Sequence, residues 1–253
     1  MNSLKLNDSE YLLHYIESIN FILQNDSAPI IFIKDNEFIY RSVSKGFEDL
    51  DEETEFKNVI GKTDYEIQEL LERPGWGEYV RAQDLKVKES NTRHFFLHVT
   101  AGKNVYIVRK HPIINPHTGN FIGIHGQMST FIFPHPLKII YKINGIESPI
   151  IGKQDDFVPH HDLTERQHMV LFLYLNRYSY SEIAEILTKI GYKISAGRVN
   201  DHLENLKYIF GAKSKETLLE KALSLNYDLF IPRKFLQIGS YDIDDRMVVS
   251  DTA

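Results

Sequence analysis

The chain has 253 residues, no cysteine and a net charge of −6, and 42% of its residues are hydrophobic. This length fits one or two domains, and the lack of cysteine excludes disulfides, thiolate chemistry and zinc-thiolate fingers. No apolar run reaches the roughly 18 residues of a membrane span, and the first residues, MNSLKLNDSE, lack a signal-peptide pattern. We therefore expect a cytoplasmic protein without membrane association.

The first predicted element is an amphipathic helix over residues 8–24, within an N-terminal segment of residues 1–25. Its apolar residues recur at helical spacing: Leu12, Tyr15, Ile16, Ile19, Ile22 and Leu23. Two interpretations stay open. The helix either packs on its own domain or forms a dimer as a flanking helix.

The next segment, residues 26–132, passes from strands to helices and back to strands. Short strands are predicted at 29–33 and 38–40, followed by a helical and irregular region to about Leu71 and a helix from Trp76 to Ser90. Three further strands are predicted over 92–100, 105–112 and 121–133, separated by turn residues. This order predicts an α+β domain with an antiparallel sheet.

Four short stretches of this segment resemble those of PAS sensor domains. They are Phe32-Ile-Lys-Asp35, Val59-Ile-Gly-Lys-Thr-Asp64, Asp84 on the long helix, and Thr118-Gly-Asn-Phe-Ile-Gly123. The resemblance implies a five-stranded antiparallel sheet with helices, often with a small-molecule pocket between them. Many PAS domains end in an Asp-Ile-Thr triad that couples the sheet to the next module, and Gln127-Met-Ser-Thr-Phe131 stands there in this chain.

The sequence narrows what such a pocket could hold. Without cysteine, the cysteinyl-flavin photochemistry of light-sensing relatives is excluded. Haem-binding relatives carry a histidine on the long helix, and Trp76 to Ser90 contains none, which argues against haem. An unidentified small organic ligand, a flavin without an adduct, and a filled core that only dimerises stay open, and no ligand-binding residue is assigned.

Residues 133–161 and 227–253 are predicted to lie outside the two main domains. The first range contains several prolines without long periodicity and is interpreted as a connector. The second is a C-terminal tail with one apolar stretch and a polar end. Two histidine pairs, His94 with His98 and His160 with His161, lack the third ligand of a metal centre, so we assign no metal site.

Residues 162–226 predict an all-α domain of four helices. Capping boxes at Thr164–Gln167 and Ser179–Glu182 open the first two helices, and Ser195 is a good N-cap for the third. The apolar stripe of the third helix is Val199, Leu203, Leu206 and Phe210. Ser214 caps a fourth helix, which has Leu218, Ala222 and Leu225 on one face. A second helix with a polar face after a compact first one is typical of a helix-turn-helix.

The motifs of this domain resemble those of LuxR-type DNA-binding domains. They are Leu163-Thr-Glu-Arg166, Ser181-Glu-Ile-Ala184, Ile194-Ser195, Val199, His202 and Gly211-Ala-Lys-Ser214. The resemblance implies that the helix beginning near Ser195 recognises double-stranded DNA. It also implies that the last helix, with Leu218, Ala222 and Leu225, mediates homodimer formation.

Ten residues are the candidates for DNA contact: Ser179, Ser195, Arg198, Asn200, Asp201, His202, Asn205, Lys207, Lys213 and Lys215. Arg198 can pair with guanine or phosphate, Asn200 with adenine, and Asp201 or Glu204 with cytosine N4. The lysines fit contacts to the phosphate backbone. His202 is either a packed residue that orients the helix or a phosphate contact.

The predicted function is that of a bacterial DNA-binding transcriptional regulator whose PAS domain senses a signal or partner. The alternative is a PAS-based interaction protein whose helix-turn-helix no longer binds DNA specifically. Asp201, Glu204, a lengthened turn between the helices and the weak charge of the domain motivate the alternative. Residues 161–226 hold nine basic and eight acidic side chains. No enzyme motif, whether a P-loop, a G-x-S-x-G or a dinucleotide fingerprint, is present, so we do not expect an enzyme.

Overall fold

A computed structural model describes residues 5–24, 29–50, 58–70, 74–100, 104–131, 161–228 and 230–243. The chain divides into two compact units, one formed by Met1–Phe131 together with Ile238–Ala253 and the other by Ile132–Gln237. Most of the predicted connector, residues 132–160, and the end of the predicted tail, residues 244–253, lie outside the described residues. Within the described ranges, every helix is too short or too polar to cross a bilayer.

The first unit is built on one antiparallel sheet of six strands. The strands are β1 (Ile30–Asp35), β2 (Tyr40–Val43), β3 (His94–Val99), β4 (Val105–Ile114), β5 (Phe121–Thr130) and β6 (Gly239–Ile243). Their order across the sheet is β2-β1-β5-β4-β3-β6. The expectation of five strands is therefore corrected to six, because a segment predicted as C-terminal tail pairs with the edge strand β3.

The second strand begins later than predicted. The sequence predicts that it starts at Phe38, but Phe38 lies in a left-handed turn with φ +66°. Its ring is buried, with 1% of its surface exposed, and the guanidinium of Arg81 stacks over it at 4.2 Å. The aromatic residue that suggested a strand is thus a core residue in the turn between β1 and β2.

The N-terminal helix α1 (Asp8–Leu23) packs on the outer face of the sheet. Its inner side contacts the buried residues Ile33, Ile113 and Ile122. The helix residues in this contact are Tyr11, Leu12, Tyr15, Ile16 and Ile19. Asp8 accepts hydrogen bonds from Asn115 at 2.8 Å and Thr118 at 2.6 Å, which fastens the start of the helix to the β4–β5 turn. Of the two open interpretations, packing on its own domain is what the structure shows, while Phe21 and Ile22 stay exposed.

Three helices cover the inner face of the sheet. They are α2 (Lys45–Glu48), α3 (Asp64–Leu70) and α4 (Trp76–Ser90), and the last has the bounds that the sequence predicts. Phe32, Phe47 and Ile67 form the core beneath them together with residues of β3 and β4. A side chain would not fit at Gly126 on β5, because a Cβ there would collide with the ring of Phe32.

The second unit contains four described helices, α5 (Glu165–Leu175), α6 (Tyr180–Lys189), α7 (Ala196–Ile209) and α8 (Lys215–Ser224), and a short 3₁₀ turn (Arg233–Phe235). The capping boxes at Thr164 and Ser179 have both of their reciprocal hydrogen bonds, and Ser195 and Ser214 cap α7 and α8. One core joins all four helices, through buried residues such as Leu171, Ile183, Leu203 and Leu218. The predicted four-helix domain is confirmed.

Candidate functional site

One face of α7 is exposed to solvent along the length of the helix. Its opposite face is fully buried through Val199, Leu203 and Leu206, each with 0% exposure. The side chain of Arg198 is 76% exposed and that of Asp201 62%, and Arg198 Nη1 lies 3.5 Å from Asp201 Oδ2. Asn205 is exposed one turn further on. The helix therefore presents a polar face whose side chains can donate and accept hydrogen bonds.

The connection between α6 and α7 is longer than in a minimal helix-turn-helix. It comprises residues 190–195, whereas a turn of roughly 3–4 residues is usual. Gly191 adopts φ +95° just after the end of α6, a conformation that glycine tolerates best. The lengthened turn predicted from the sequence is present, and α7 still begins at the Ser195 cap.

Lys215 lies where three helices meet. Its Nζ donates to Asn200 Oδ1 at 2.9 Å and lies 3.7 Å from Glu204 Oε1. It also lies 4.7 Å from the centre of the Tyr180 ring at the start of α6. The hydrogen bond with Tyr180 and the nearby Glu204 charge raise the pKa of Lys215.

This contact fixes the orientation of the Asn200 amide. An ammonium group is a donor only, so the atom that faces Lys215 must be the carbonyl oxygen. The NH₂ group of Asn200 then provides the hydrogens that remain available to a partner. Lys207 Nζ holds the other carboxylate oxygen of Glu204 at 2.6 Å, so Glu204 lies between two lysines.

The other candidate residues occupy different positions around this face. Ser179 and Ser195 act as helix caps, with Ser195 Oγ accepting from the N–H of Arg198 at 3.3 Å. Lys213 is exposed between α7 and α8. His202 is half-buried, and burial together with the charge of Arg166 lowers its pKa. The structure thus brings Asn200, Lys207 and Lys215 together around Glu204.

The residues predicted for dimer formation have a structural role inside the domain. Leu218 and Ala222 are both 0% exposed and belong to the core shared by the four helices. Leu225 is partly buried against the same core. A partner that contacts α8 would meet its exposed residues, such as Leu223 at 41% exposure, and the dimer contact stays a prediction.

The first unit contains a cavity between the sheet and its inner helices. Its volume is about 60 Å³, several times the roughly 10–15 Å³ that one water molecule needs. The apolar lining residues are Phe32, Tyr40, Phe47, Leu50, Trp76, Val80, Val108 and Met128, and the polar ones are Gln83, His98, Thr100, Lys110 and Ser240. Side chains of all six strands reach this cavity, which suits a small organic molecule with few polar groups.

A buried network of charges lies beside the cavity. Lys34 Nζ donates to Asp64 Oδ2 at 2.6 Å and to Asp84 Oδ2 at 2.7 Å, and Lys110 Nζ donates to Asp84 Oδ1 at 2.5 Å. These four side chains are at most 2% exposed. Tyr40 donates to Asp64 at 3.0 Å. Two ammonium groups and two carboxylates balance in charge, which is how buried ions are tolerated.

Within the network, Lys110 is the cation that lines the cavity. Burial lowers the pKa of Lys110, and the positive charge of Lys34 adds to this while Asp84 opposes it. Burial alone would raise the pKa of Asp84, but the charges of Lys110 and Lys34 hold it below its usual value. The network therefore presents a hydrogen-bond donor, anchored by Asp84, at the wall of the cavity.

The cavity residues were not predicted as a ligand site from the sequence. Lys34, Asp64 and Asp84 appeared there only as parts of the PAS-like stretches, and Gln83, Trp76 and Ser240 were not singled out. The available signal for these residues was a lysine within each of two apolar strands, Lys34 in β1 and Lys110 in β4. A lysine on a buried strand needs an acidic partner.

Two solved structures resemble the chain over most of its length. The phage VqmA–DPO complex has a TM-score of 0.66 and 22% identity, covering 94% of this chain and 100% of that chain. The Vibrio cholerae VqmA–ligand–DNA complex has a TM-score of 0.61 and 19% identity, covering 90% of this chain and 96% of that chain. The chain has the VqmA fold. No protein-family profile and no curated protein sequence matches it.

The likeness to VqmA confirms the predicted architecture of a PAS-type α+β domain with a helical helix-turn-helix domain. At these identities it concerns the fold alone. One of these VqmA structures is a complex with DPO, and the other is a complex with a ligand and DNA. Among the described residues of this chain, no cluster of three or more potential metal ligands is present.

Proposed function

We propose that this chain is a DNA-binding transcription regulator of the bacterial type. A homodimer would bind double-stranded DNA through the exposed faces of its two α7 helices, and a small organic molecule in the sheet cavity would control this binding. The observation that carries the proposal is the exposed polar face of α7 in a helix-turn-helix, joined in one chain to a cavity-bearing PAS-type unit. Such a regulator would act in the cytoplasm.

On the DNA side, α7 would enter the major groove. Arg198 and Asn205 are exposed on its outer face, where hydrogen bonds to base edges give sequence preference. Lys213 is exposed beside the helix and suits a phosphate contact, which would set position rather than sequence. Two α7 helices in a dimer would meet half-sites one helical turn apart.

On the sensor side, the cavity suits a small ring compound. Trp76, Phe32 and Met128 provide apolar walls, while Lys110 and Gln83 provide polar contacts on one side. VqmA of a phage has been solved with DPO, so DPO is the first compound to test on this chain. The function proposed is sensing rather than catalysis.

A second candidate function is that of an interaction protein that does not bind DNA specifically. The ion pairs Arg198–Asp201 and Lys207–Glu204 favour it, because they neutralise basic groups on the face that would meet the phosphates. A domain with a net charge near zero gains little from nonspecific electrostatic binding. Specific base contacts would then have to supply most of the affinity.

Selection from a random DNA pool separates the two candidates. The purified full-length protein would be used at two salt concentrations, with and without DPO. Enrichment of a near-palindromic motif, with affinity that falls as salt rises, supports the regulator. No enrichment under any of these conditions, together with stable folding, would favour the interaction protein.

Arg198→Ala tests the assignment of α7 as the recognition helix. If Arg198 reads a base, the variant loses about 1–3 kcal/mol of binding free energy on the selected site and becomes less selective at one position. A uniform loss on all sequences would make Arg198 a phosphate contact. Lys189→Ala is the control, since Lys189 is an exposed lysine of α6 paired with Glu185. Unchanged binding by Arg198→Ala would remove this residue from the site.

A further inference from the structure

The sixth strand of the sheet comes from the C-terminal end of the chain. Residues 239–243 pair antiparallel with β3, from Gly239 opposite Val99 to Ile243 opposite Phe95. The partner strands are about 140 residues apart in sequence, so this pairing is one of the longest-range contacts of the fold. Strand β6 adds to the edge of a sheet whose other strands all come from the first 131 residues.

One face of β6 is bound to helix α4. Alternate residues of a strand share a face, and Ser240 and Asp242 both contact α4. Gln83 Nε2 donates to Ser240 Oγ at 2.7 Å, and Lys86 Nζ lies 2.9 Å from Asp242 Oδ1. The strand is therefore held by side chains in addition to the backbone ladder.

Ser240 is also part of the cavity wall. It lines the cavity together with Gln83 and Trp76, residues of the first and second turns of α4. Its oxygen accepts from Gln83, and the hydroxyl hydrogen is left to donate to a ligand acceptor. Gln83 is only 9% exposed, so loss of Ser240 would leave a buried amide without this partner.

The position of β6 in the chain matters because β6 follows directly after the helical unit. The chain leaves the helical unit at Gln237 and re-enters the first unit at Ile238. The helix-turn-helix unit is thus inserted between β5 and β6 of the sensor unit. Any change in the docking of β6 therefore affects the part of the chain that directly follows the helical unit.

We propose that β6 is a component of the ligand site, with Ser240 as a ligand-contacting residue, so that ligand occupancy and docking of the C-terminal strand are coupled. The ligand class is a small, mostly apolar ring compound with a hydrogen-bond acceptor within reach of the Ser240 hydroxyl. This proposal rests on the proposed function, in which the cavity binds a small molecule. A ligand that contacts β6 binds more tightly when the strand is docked, and by linkage it strengthens that docking.

The fluorescence of Trp76 provides the test. Trp76 is the single tryptophan of the chain and lines the cavity, so titration with DPO reports directly on occupancy. Three full-length variants are compared with the wild type: Ser240→Ala, the double variant Ser240→Pro/Tyr241→Pro, and Asp242→Asn. Alternate residues of an antiparallel edge strand point their N–H groups to the partner strand. Of two adjacent residues one therefore donates to β3, so the double proline variant removes at least one ladder hydrogen bond.

The expected results differ between the variants. Ser240→Ala binds DPO about 3–10-fold more weakly, the range of one hydrogen bond. The double proline variant binds at least about tenfold more weakly, and its ligand-free Trp76 emission shifts to longer wavelength because the cavity opens to water. Asp242→Asn, which changes only an exposed ion pair on the same strand face, stays within about twofold.

Hydrogen exchange on the wild-type protein tests the coupling without any substitution. DPO is expected to slow exchange of the amides of residues 239–243. The proposal is overturned if the wild type binds DPO but these amides are unaffected and all variants bind equally. If the wild type does not bind DPO and the double proline variant leaves Trp76 emission unchanged, the proposal also fails. A wild type that does not bind DPO, with a proline variant that does shift Trp76, contradicts DPO as the ligand but supports β6 as part of the cavity wall.

Discussion

At the scale of single residues, Lys215 limits the hydrogen bonds that Asn200 would offer to DNA in the proposed regulator. An asparagine reads adenine with its oxygen and its NH₂ group together, but here the oxygen is occupied by Lys215 at 2.9 Å. The NH₂ group stays available to donate to acceptors such as adenine or guanine N7, guanine O6, thymine O4 or a phosphate oxygen. The pairing of Asn200 with adenine stays a prediction, and we expect Lys215 to weaken its bidentate form because Lys215 already donates to the oxygen.

Lys215→Met tests this role. Releasing the oxygen of Asn200 allows bidentate pairing, so DNA selection with the variant is expected to shift toward adenine at one position. Lys213→Met is the matched control, because Lys213 is exposed and suits a phosphate contact. It should weaken binding on all sequences alike. An unchanged base preference in Lys215→Met would contradict the positioning role.

The buried charges beside the cavity act as a balanced set. Lys110→Met leaves two carboxylates with one ammonium in a buried site, and we expect a loss of about 3–5 kcal/mol in the free energy of unfolding. Adding Asp84→Asn restores the balance, since Lys34 and Asp64 still neutralise each other.

Urea unfolding of the single and double variants measures this coupling. The double variant is expected to be more stable than Lys110→Met alone, which gives a non-additive mutant cycle. Strict additivity of the two substitutions would show that Lys110 and Asp84 do not depend on each other.

At the scale of elements, α1 contacts the sheet beside two partly buried histidines, His111 and His125. Tyr15 Oη lies 2.7 Å from His125 Nδ1, and the rings of His125 and His111 are 6.3 Å apart. Burial lowers the pKa of both histidines, and the charges of Arg109 and Arg93 lower that of His111 further. The α1 side chain that contacts His125 is Tyr15, whose hydroxyl provides no negative charge.

This arrangement predicts a pH dependence of stability. A histidine whose pKa is lowered on folding binds protons more readily when unfolded, so its contribution is complete above about pH 6.5 and is lost as the pH falls through the lowered value. Urea unfolding between pH 7.5 and 5.5 should show decreasing stability, and His125→Gln should reduce this slope.

His14→Gln serves as the control for this experiment. His14 is 62% exposed on α1, and its replacement should leave the slope as in the wild type. Equal slopes for His125→Gln and the wild type would contradict the role given to His125.

The elements that the sequence predicted well are those whose signals are local. The Ser179 and Thr164 capping boxes, the Ser195 cap and the helix Trp76–Ser90 each depend on residues a few positions apart, and all are confirmed. Strand β6 is different, because the sequence Gly-Ser-Tyr-Asp-Ile has weak strand propensity and its partner is far away in the chain. The site residues were likewise predictable only where the sequence signal is local. The polar face of α7 could be read from periodicity, whereas the cavity required Gln83 and Ser240 to be brought together by folding.

At the scale of the whole molecule, one chain holds a cavity in its first unit and the exposed polar face of α7 in its second. The helical unit is inserted in the sequence of the sensor unit, with connections at residue 132 and residue 237. In the proposed regulator, the first unit would therefore be joined to the helix-turn-helix at both ends of the helical unit. Loss of either connection would be expected to weaken the coupling and leave each unit folded.

The central claim is that ligand and DNA binding are thermodynamically linked, and this can be measured directly. The affinity of the full-length protein for its selected duplex would be determined with and without saturating DPO, and the affinity for DPO with and without the duplex. Both affinities are expected to change by the same factor, about 5–150-fold as in typical allosteric proteins. If DPO and the duplex both bind but neither changes the affinity for the other, the claim that the cavity controls DNA binding is contradicted.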